Sequence, residues 1–523
     1  MAKAAVTTAW GRINRIAASD KVSGLVMLGF ALAGLLLANI PASAHVFEAI
    51  AEYHVGIPST NLDLPIGHWA QDGLLTVFFL VVGLDLKQEL TTGSLSNPRA
   101  AAVPMACAVG GMVVPPLLFL LVSTLFSYFG PGGVGNAVIA TGSVLPSTEI
   151  AQGWAVPMAT DIAFSLAVLA LFAKGLPGSI RAFLMTLATV DDLLAVIIIA
   201  VFFSSLNDWY WFVGIIVCAA IWSVLVKRRH VPWPLVAVVG ILAWVMMFEA
   251  GVHPTLAGVL VGLLTPAREM YGESTPRAER YKDKLQPFSA LLALPIFALF
   301  ATGVRFEALS PRMLVSPVVL GIVIALVAGK PIGIMATAWI STHLAGLNLA
   351  KGLKVRDLFP AACACGIGFT VSFLIASLAY ADSELSGEAR FGVLVGSLLS
   401  AAVSGVLLSR QARRYRELNA DREIAEAARK AAGSRDIDVE QVLADGSVTI
   451  SMSDLSPEAV ARYKARHAQD PSDPQDGAEE AAGAKPARRM RRRLGIFRRG
   501  GEKGHQAKKQ HHARTPKRRH PGR

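Results

Sequence analysis

The chain has 523 residues, of which 53% are hydrophobic and 17% are charged, and its formal net charge is +12. A soluble protein of this length could not keep so much apolar surface from aggregating, so the composition excludes ordinary soluble classes. The excess of Lys and Arg lies in residues 485–523, where Glu502 is the one acid. The positive net charge therefore belongs to a tail rather than to the whole chain, and no nucleic-acid partner is expected.

The apolar residues come in long runs, without the alternation of β-barrel strands. Because about 20 residues are needed to cross the hydrocarbon core, these runs predict an all-α integral membrane protein with about 12 transmembrane helices. The predicted spans are 22–42, 68–86, 101–127, 153–173, 179–204, 209–226, 233–249, 252–265, 287–304, 314–340, 358–380 and 390–409.

The charges between the spans alternate in sign from loop to loop. Lys227, Arg228 and Arg229 follow one span, for example, whereas Asp208 precedes it. Since cytoplasmic loops carry an excess of Lys and Arg, the alternation supports the helix count and predicts that both termini are cytoplasmic.

Four regions follow from these patterns. They are a cytoplasmic N-terminal segment (1–21), a transmembrane domain (22–410), a charged and partly helical cytoplasmic extension (411–467) and a basic, disordered cytoplasmic tail (468–523). The tail run RRMRRRLGIFRRG suits contact with anionic lipid, and a solvated tail without a partner explains it equally well.

Charges inside a predicted span are costly and usually functional, and four ionisable residues stand out there. They are Asp161, Asp191, Asp192 and Lys330. Two adjacent carboxylates in an apolar helix repel each other and can hold either protons or a monovalent cation, and the two ligands compete for the same oxygens. This competition is what a cation/proton antiporter needs. The structural alternative is that the acids cap a neighbouring helix or pair with a lysine.

Lys330 needs a counter-charge inside the membrane, and Asp191 or Asp192 is its natural partner. The sequence leaves open whether Lys330 carries a proton or acts as a fixed counter-ion. Two segments resemble interrupted helices, namely AVPMATDIAF, which holds Thr160 and Asp161, and CGIGFTVS, which holds Gly366 and Gly368. Broken helices leave free backbone ends near the bilayer midplane, where such charges would offset them.

In these residues the chain resembles the NhaA family of bacterial sodium/proton antiporters, over about residues 20–410. The matching stretches are FFLVVGLDLKQELTTGSL, GWAVPMATDIAFSLAVLAL, FLMTLATVDDLLAVIIIA, AGVHPTLAGVLVG, GKPIGI and GIGFTVSFLIASLA. The resemblance implies two discontinuous crossing helices, inverted-topology repeats and electrogenic, pH-regulated exchange of cytoplasmic Na+ or Li+ for external H+ in the bacterial plasma membrane. It implies a homodimeric transporter rather than an enzyme, without cofactors.

The resemblance also implies roles for individual residues. Asp191 and Asp192 would bind the cation and the protons, with Lys330 paired to Asp191. Thr160, Asp161, Gly366 and Gly368 would lie where the broken helices cross. The residues implied in the pH response are Asp85, Glu89, Glu249 and His253.

Three positions depart from the family pattern at the pH-responsive region. Asp85 stands where glutamate is common, Gln88 where arginine is common, and Glu249 where lysine is common. The pH set point therefore does not follow from the resemblance. A packing or capping role explains His253 without any pH response.

Two other functions remain as alternatives. A sodium-coupled solute symporter of related broken-helix fold would need a pocket for an organic solute. An intramembrane aspartyl protease would need two membrane aspartates from separate helices, whereas Asp191 and Asp192 are adjacent.

Overall fold

The computed structural model describes most of the predicted transmembrane domain and part of the extension. The described residues are 20–56, 61–129, 136–139, 144–204, 208–303, 311–349, 353–381, 385–432, 450 and 455–467. The predictions for the N-terminal segment before residue 20 and for the tail after residue 467 lie outside them.

The described chain is almost entirely helical. In the first half the elements are α1 (Asp20–Asn39), α2 (Pro41–Ala51), β1 (His54–Val55), β2 (Leu64–Pro65), α3 (Ile66–Thr91), α4 (Pro98–Phe129), β3 (Asn136–Val138), β4 (Val144–Pro146), α5 (Ser147–Met158), α6 (Ile162–Phe172) and α7 (Gly178–Phe202). In the second half they are α8 (Tyr210–Lys227), α9 (Trp233–Glu249), α10 (Leu256–Leu264), α11 (Arg277–Ala301), α12 (Pro317–His343), α13 (Val355–Ala364), α14 (Phe369–Ala379), α15 (Leu385–Ala432) and α16 (Pro457–His467).

Eight helices of the described ranges are long and apolar enough to cross a membrane, and two bent pairs, α5/α6 and α13/α14, raise the number to ten. The predicted spans 233–249 and 252–265 correspond to α9, with 17 residues, and α10, with 9 residues. Nine helical residues extend only about 14 Å, less than half of the hydrocarbon core. The multi-pass, all-α character is confirmed, and the count of twelve stays a prediction.

Small residues let the helices approach each other at backbone distance. Where α4 meets α12, a Cβ atom on Gly333 would lie 2.2 Å from the carbonyl oxygen of Gly110. Where α3 meets α10, a Cβ atom on Gly258 would lie 2.3 Å from the carbonyl oxygen of Thr76. Because lipid provides little hydrophobic force between helices, close packing of this kind holds a membrane bundle together.

The apolar residues of the long helices divide between lipid and bundle. On α4, Leu117, Leu121 and Leu125 follow each other at i,i+4 spacing and are 59%, 53% and 47% exposed. Phe119 and Cys107 of the same helix are fully buried. The hydrophobic pattern alone could not separate these faces, because lipid tails and the bundle interior are equally apolar.

A short antiparallel hairpin joins α2 to α3, in a region (residues 43–67) where the sequence has no firm strand pattern. Residues His54 and Val55 pair with Pro65 and Leu64. The indole Nε1 of Trp69 donates to the Val55 carbonyl oxygen at 2.7 Å. The hairpin is thereby fixed to the start of α3.

The last long helix, α15, passes without interruption through residue 410, where the sequence changes from apolar to charged. With 48 residues it is about 72 Å long, more than twice the thickness of the hydrocarbon core. Gln411 Nε2 donates to the Asp357 carbonyl oxygen at 2.8 Å, at the start of α13. The charged extension therefore begins as a continuation of a membrane helix, and the predicted boundary at 410 falls within it.

Outside the membrane, α15 carries the residues that hold the next described segment. Arg462 Nε and Nη2 donate to the two carboxylate oxygens of Asp421 at 2.6 and 3.0 Å. Ser456 Oγ donates to Glu423 Oε2 at 2.6 Å. Beyond Arg462 the structure describes only residues 463–467, which are helical.

Arg277 is the largest fully buried side chain among the described residues and closes the end of α8. Its Nη1 donates to the carbonyl oxygens of Val226 and Arg228, both at 2.6 Å. Its Nη2 donates to Glu273 Oε1 at 2.8 Å. The last carbonyls of a helix have no partner within the helix, so Arg277 supplies one and Glu273 balances its charge.

The Arg277→Gln variant should therefore lose about 3 kcal/mol of the free energy of unfolding, because Glu273 and two carbonyls lose a charged partner. Arg280→Gln is the matched control, since the Arg280 side chain is 39% exposed and lies 3.6 Å from the same Glu273; it should cost less than about 1 kcal/mol. Unfolding curves of both proteins in detergent measure the difference. Equal losses would contradict the role assigned to Arg277.

Candidate functional site: two helix breaks beside paired aspartates

Two bent helix pairs meet at their breaks inside the bundle. The α5/α6 pair bends by 50° and the α13/α14 pair by 58°. The Asp161 N–H donates to the Ile367 carbonyl oxygen at 2.7 Å, and Thr160 Oγ1 donates to the Cys365 carbonyl oxygen at 2.9 Å. Each break thus satisfies backbone groups that the other leaves without a helical partner, as irregular backbone at membrane depth requires.

Asp161 receives hydrogen bonds from both half-helices that follow the breaks. Its Oδ1 accepts from the Phe164 N–H at 2.9 Å, which makes Asp161 the N-cap of α6. Its Oδ2 accepts from the N–H and the hydroxyl of Thr370, at 3.2 and 2.8 Å, in the first turn of α14. Because the N-terminus of a helix carries a partial positive charge, one carboxylate stabilises two such ends.

Glycine is required where the second break approaches its neighbours. A Cβ atom on Gly366 would lie 2.4 Å from the Leu326 carbonyl oxygen, in α12. A Cβ atom on Gly368 would lie 2.2 Å from Ser372 Oγ and 3.2 Å from the Ala159 carbonyl oxygen, in the first break. Gly366 therefore permits the approach of the second break to α12, and Gly368 permits its approach to the first break.

Lys330 lies beside the breaks, is fully buried and joins three elements. Its Nζ donates to Asp191 Oδ2 at 2.7 Å and to Thr160 Oγ1 at 2.9 Å. A π-helical turn, Ala325–Gly329, directly precedes it in α12; such turns are frequent at functional sites. Of the two acids that the sequence offered as partners, the structure pairs Lys330 with Asp191.

Asp191 and Asp192 are buried in the middle of α7, at 1% and 4% exposure. Within the described ranges, Oδ1 of each has no hydrogen-bond partner. Nearly all buried polar atoms are paired in native proteins, so two unpartnered carboxylate oxygens on adjacent residues make this pair the candidate site for a proton or a cation. No three His, Cys, Asp or Glu side chains of the described residues come together as a metal-ion site.

The residues implied in the pH response do not form one cluster. Near the end of α3, Asp85 forms an ion pair with Lys282, and Glu89 Oε2 accepts from the N–H and the hydroxyl of Ser94, both at 2.8 Å. The Ser94 hydroxyl in turn lies 2.9 Å from Thr186 Oγ1. Hydrogen bonds through Ser94 thus link Glu89 to Thr186 of α7, the helix that carries the paired aspartates.

The other two residues lie elsewhere. His253 Nδ1 is 2.6 Å from Thr255 Oγ1, and its Nε2 is 3.5 Å from Asp72 Oδ1. Glu249, at the end of α9, accepts from Asn61 Nδ2 at 3.0 Å. Asp72 and Asp85 are separated by about 20 Å along α3, so the four residues occupy two places.

Asp72 is a half-buried acid that the sequence analysis did not single out. It falls within the predicted span 68–86, and its Oδ1 is one of the buried oxygens without a hydrogen-bond partner in the described chain. The rule that selected Asp161, Asp191, Asp192 and Lys330, a charge inside an apolar span, would have found it as well.

The chain is similar to known proteins over most of its length. The family model described as "Na+/H+ antiporter 1" matches residues 14–408. A protein of Bifidobacterium breve named "Na(+)/H(+) antiporter NhaA" is 73% identical over 409 residues, which cover 78% of this chain and 88% of that protein. A protein of the same name from Bifidobacterium adolescentis is 69% identical over 444 residues, covering 84% and 96%.

More distant relatives have names of the same kind. "Na(+)/H(+) antiporter NhaA 1" of Kineococcus radiotolerans is 39% identical over 426 residues, covering 79% of this chain and 94% of that protein. The match extends over the helices that carry both breaks, the paired aspartates and Lys330. The chain belongs to the NhaA family of Na+/H+ antiporters.

Proposed function

We propose that the chain is a secondary transporter that exchanges cytoplasmic Na+ or Li+ for external H+. The observation that carries this proposal is the pair of buried carboxylates, Asp191 and Asp192, each with an oxygen that has no partner in the described chain. Such oxygens can be satisfied by protons or by one hard cation, and the two ligands exclude each other. Binding on one side of the membrane would therefore release the other ligand.

Lys330 would take part in this competition through Asp191. A cation bound at Asp191 Oδ1 would repel the Lys330 ammonium, whose Nζ lies 2.7 Å from Oδ2 of the same carboxylate. Lys330 then either keeps its charge and turns to Thr160, or gives up its proton to the other side. Both readings stay open, and both make the lysine responsive to occupancy of the site.

We propose that the two breaks are the crossing of two discontinuous membrane helices. Each lies in a unit of the same order, with a long helix, a broken helix and a long helix, since α4 and α7 flank the first break and α12 and α15 flank the second. This order supports a pair of inverted-topology repeats within about twelve spans. The binding site would lie where the units meet, so that rocking of one against the other exposes it to alternate sides.

Vesicle transport tests the proposed function. In proteoliposomes with an acidic interior, addition of NaCl or LiCl should raise the internal pH, reported by a pH-sensitive dye, while choline chloride should not. Sodium entry without movement of protons would refute antiport. Sodium-dependent uptake of an organic solute would support the alternative, a symporter of related fold.

The membrane and its orientation are also part of the proposal. The alternation of loop charges supports insertion into the bacterial plasma membrane with both termini in the cytoplasm. We propose a homodimer, with the β1–β2 hairpin as the region of contact. Accessibility of an N-terminal tag in sealed cells and cross-linking of single cysteines in the hairpin would test the two statements.

The pH response is proposed to involve two places. Glu89 is connected through Ser94 and Thr186 to the helix of the paired aspartates, and Asp85 lies one turn before Glu89 on α3. His253 and Glu249 form the other place. Because Asp85 is paired with a lysine, we expect the set point to differ from that of relatives with other charges at these positions.

Deletion of residues 468–523 should leave the rate of antiport unchanged, since the paired aspartates, the breaks and Lys330 all precede this tail. Transport by the truncated and full-length proteins is compared at equal amounts in vesicles of neutral lipid and of anionic lipid. A loss confined to anionic vesicles would show that the basic tail acts through lipid contact. A loss in both would refute the prediction.

A further inference from the structure

A cavity of about 160 Å³ lies at the junction of α6 and α7. It is separate from the two breaks, but it is built from the helices that carry Asp161 at one start and the paired aspartates in the middle. Its floor is apolar and includes Leu166, Leu169 and Ile180, all buried. Among the residues that the structure describes, two cations are the polar side chains of its lining.

The two cations of the lining are Lys174 and Arg181, and both are exposed. Within the described part of the chain, Lys174 forms no ion pair and no side-chain hydrogen bond. The described residues of the lining include no acid. It therefore presents positive charge at its rim and hydrocarbon at its floor.

A third cation comes from the helix that leaves the membrane. The side chain of Arg416, on α15, crosses Gly175, the residue between Lys174 and Leu176 of the lining. A Cβ atom on Gly175 would lie 2.7 Å from Arg416 Cγ, and the Gly175 φ of 93° is one that favours glycine. The turn between α6 and α7 thus packs against an arginine from a distant part of the chain, next to Lys174.

The position of the cavity indicates the level of the lipid headgroups. It lies where α7, a 25-residue membrane helix, begins and where α6 ends. Leu171 and Phe172, the last residues of α6, are 41% and 44% exposed, as expected for side chains that face lipid. A molecule at this depth has water and phosphate on one side and acyl chains on the other.

We propose that this cavity binds an anionic phospholipid, with its phosphate held by Lys174 and Arg181 and part of an acyl chain against the apolar floor. Free phosphate would satisfy the cations alone and leave the floor empty. A neutral lipid would fill the floor and supply no anion to Lys174. The bound lipid would contact both helices that carry the acids of the transport site.

Lipid binding to the full-length protein in detergent tests the proposal. Native mass spectrometry would measure the affinities for phosphatidylglycerol and phosphatidylcholine. We expect tighter binding of phosphatidylglycerol, and the Lys174→Gln/Arg181→Gln variant should bind it about 20-fold more weakly. Lys227→Gln/Arg229→Gln is the matched control, because it removes two exposed charges from another basic loop; its affinity should stay within about twofold of the native protein.

A second variant tests the apolar half of the site while keeping both cations. Ala170→Leu enlarges a lining residue in a helical position and should weaken both lipids alike. Equal losses in the two charge variants would overturn the proposal, since they would indicate general attraction to a basic surface. Displacement of phosphatidylglycerol by millimolar inorganic phosphate, or full binding by Ala170→Leu, would also overturn it.

Discussion

Asp192→Asn and Asp191→Asn should each reduce sodium/proton exchange to the background of protein-free vesicles. Asparagine keeps the size of the side chain, but it neither carries the negative charge nor exchanges a proton. The paired site then holds at most one charge, and competition between the cation and the protons is lost. Dye-reported exchange with Na+ and Li+ across a pH series measures the effect.

A loss of transport identifies the site only if the variants remain folded. Asp208→Asn provides the matched control, because it makes the same chemical change at an exposed acid outside the membrane helices and should keep native transport. Removing the charge of Asp192 also relieves repulsion with Asp191, so the melting temperature of Asp192→Asn in detergent should not fall. Native transport by either buried variant would end the argument for competition at this pair.

Among the variants considered, Lys330→Ala should lower the free energy of unfolding most. It leaves Asp191 buried without its counter-charge and removes the donor to Thr160. Breaking a buried ion pair from one side costs about 3 to 5 kcal/mol of the free energy of unfolding. We also expect the pH profile of antiport to shift, since protons and the transported cation would no longer compete with the Lys330 ammonium for Asp191.

Lys330→Arg and Lys430→Ala separate the causes of that loss. Arginine restores the positive charge and should recover much of the stability, whereas its larger, planar head fits the contacts of a lysine less well. Lys430 is exposed on the part of α15 outside the membrane, so its replacement should leave unfolding and pH profile unchanged. Native melting and a native pH profile in Lys330→Ala would contradict the pairing.

The burial of Asp161, Asp191, Asp192 and Lys330 could be predicted from the sequence, and the cost of charge in lipid singled them out as candidate site residues. A charge inside an apolar run needs no alignment to be noticed. The same rule applied evenly would have identified Asp72, which the structure places beside His253. The signal for Asp72 is present in the sequence, because this acid lies inside the predicted span 68–86.

Partners across the bundle could not be predicted in this way. Nothing in the sequence states that Asp161 accepts from Thr370, 209 positions away, or that Lys330 pairs with Asp191 rather than Asp192. Such contacts depend on rotations and depths of helices that pack through glycines, and an error of one residue turns a side chain by about 100°. The resemblance to a family supplied the expectation, and the geometry supplied the atoms.

The sequence by itself determined that the chain is a helical membrane protein, where its long spans lie and which buried charges must have partners. The reason is that the transfer of a single residue from water to lipid changes its free energy strongly, favourably for apolar and unfavourably for charged side chains. Only the tertiary structure decided that α15 continues to Ala432, that the two breaks satisfy each other's backbone, and that Arg416 packs against Gly175. These features arise from contacts between distant segments, which have no signature in the local pattern of either one.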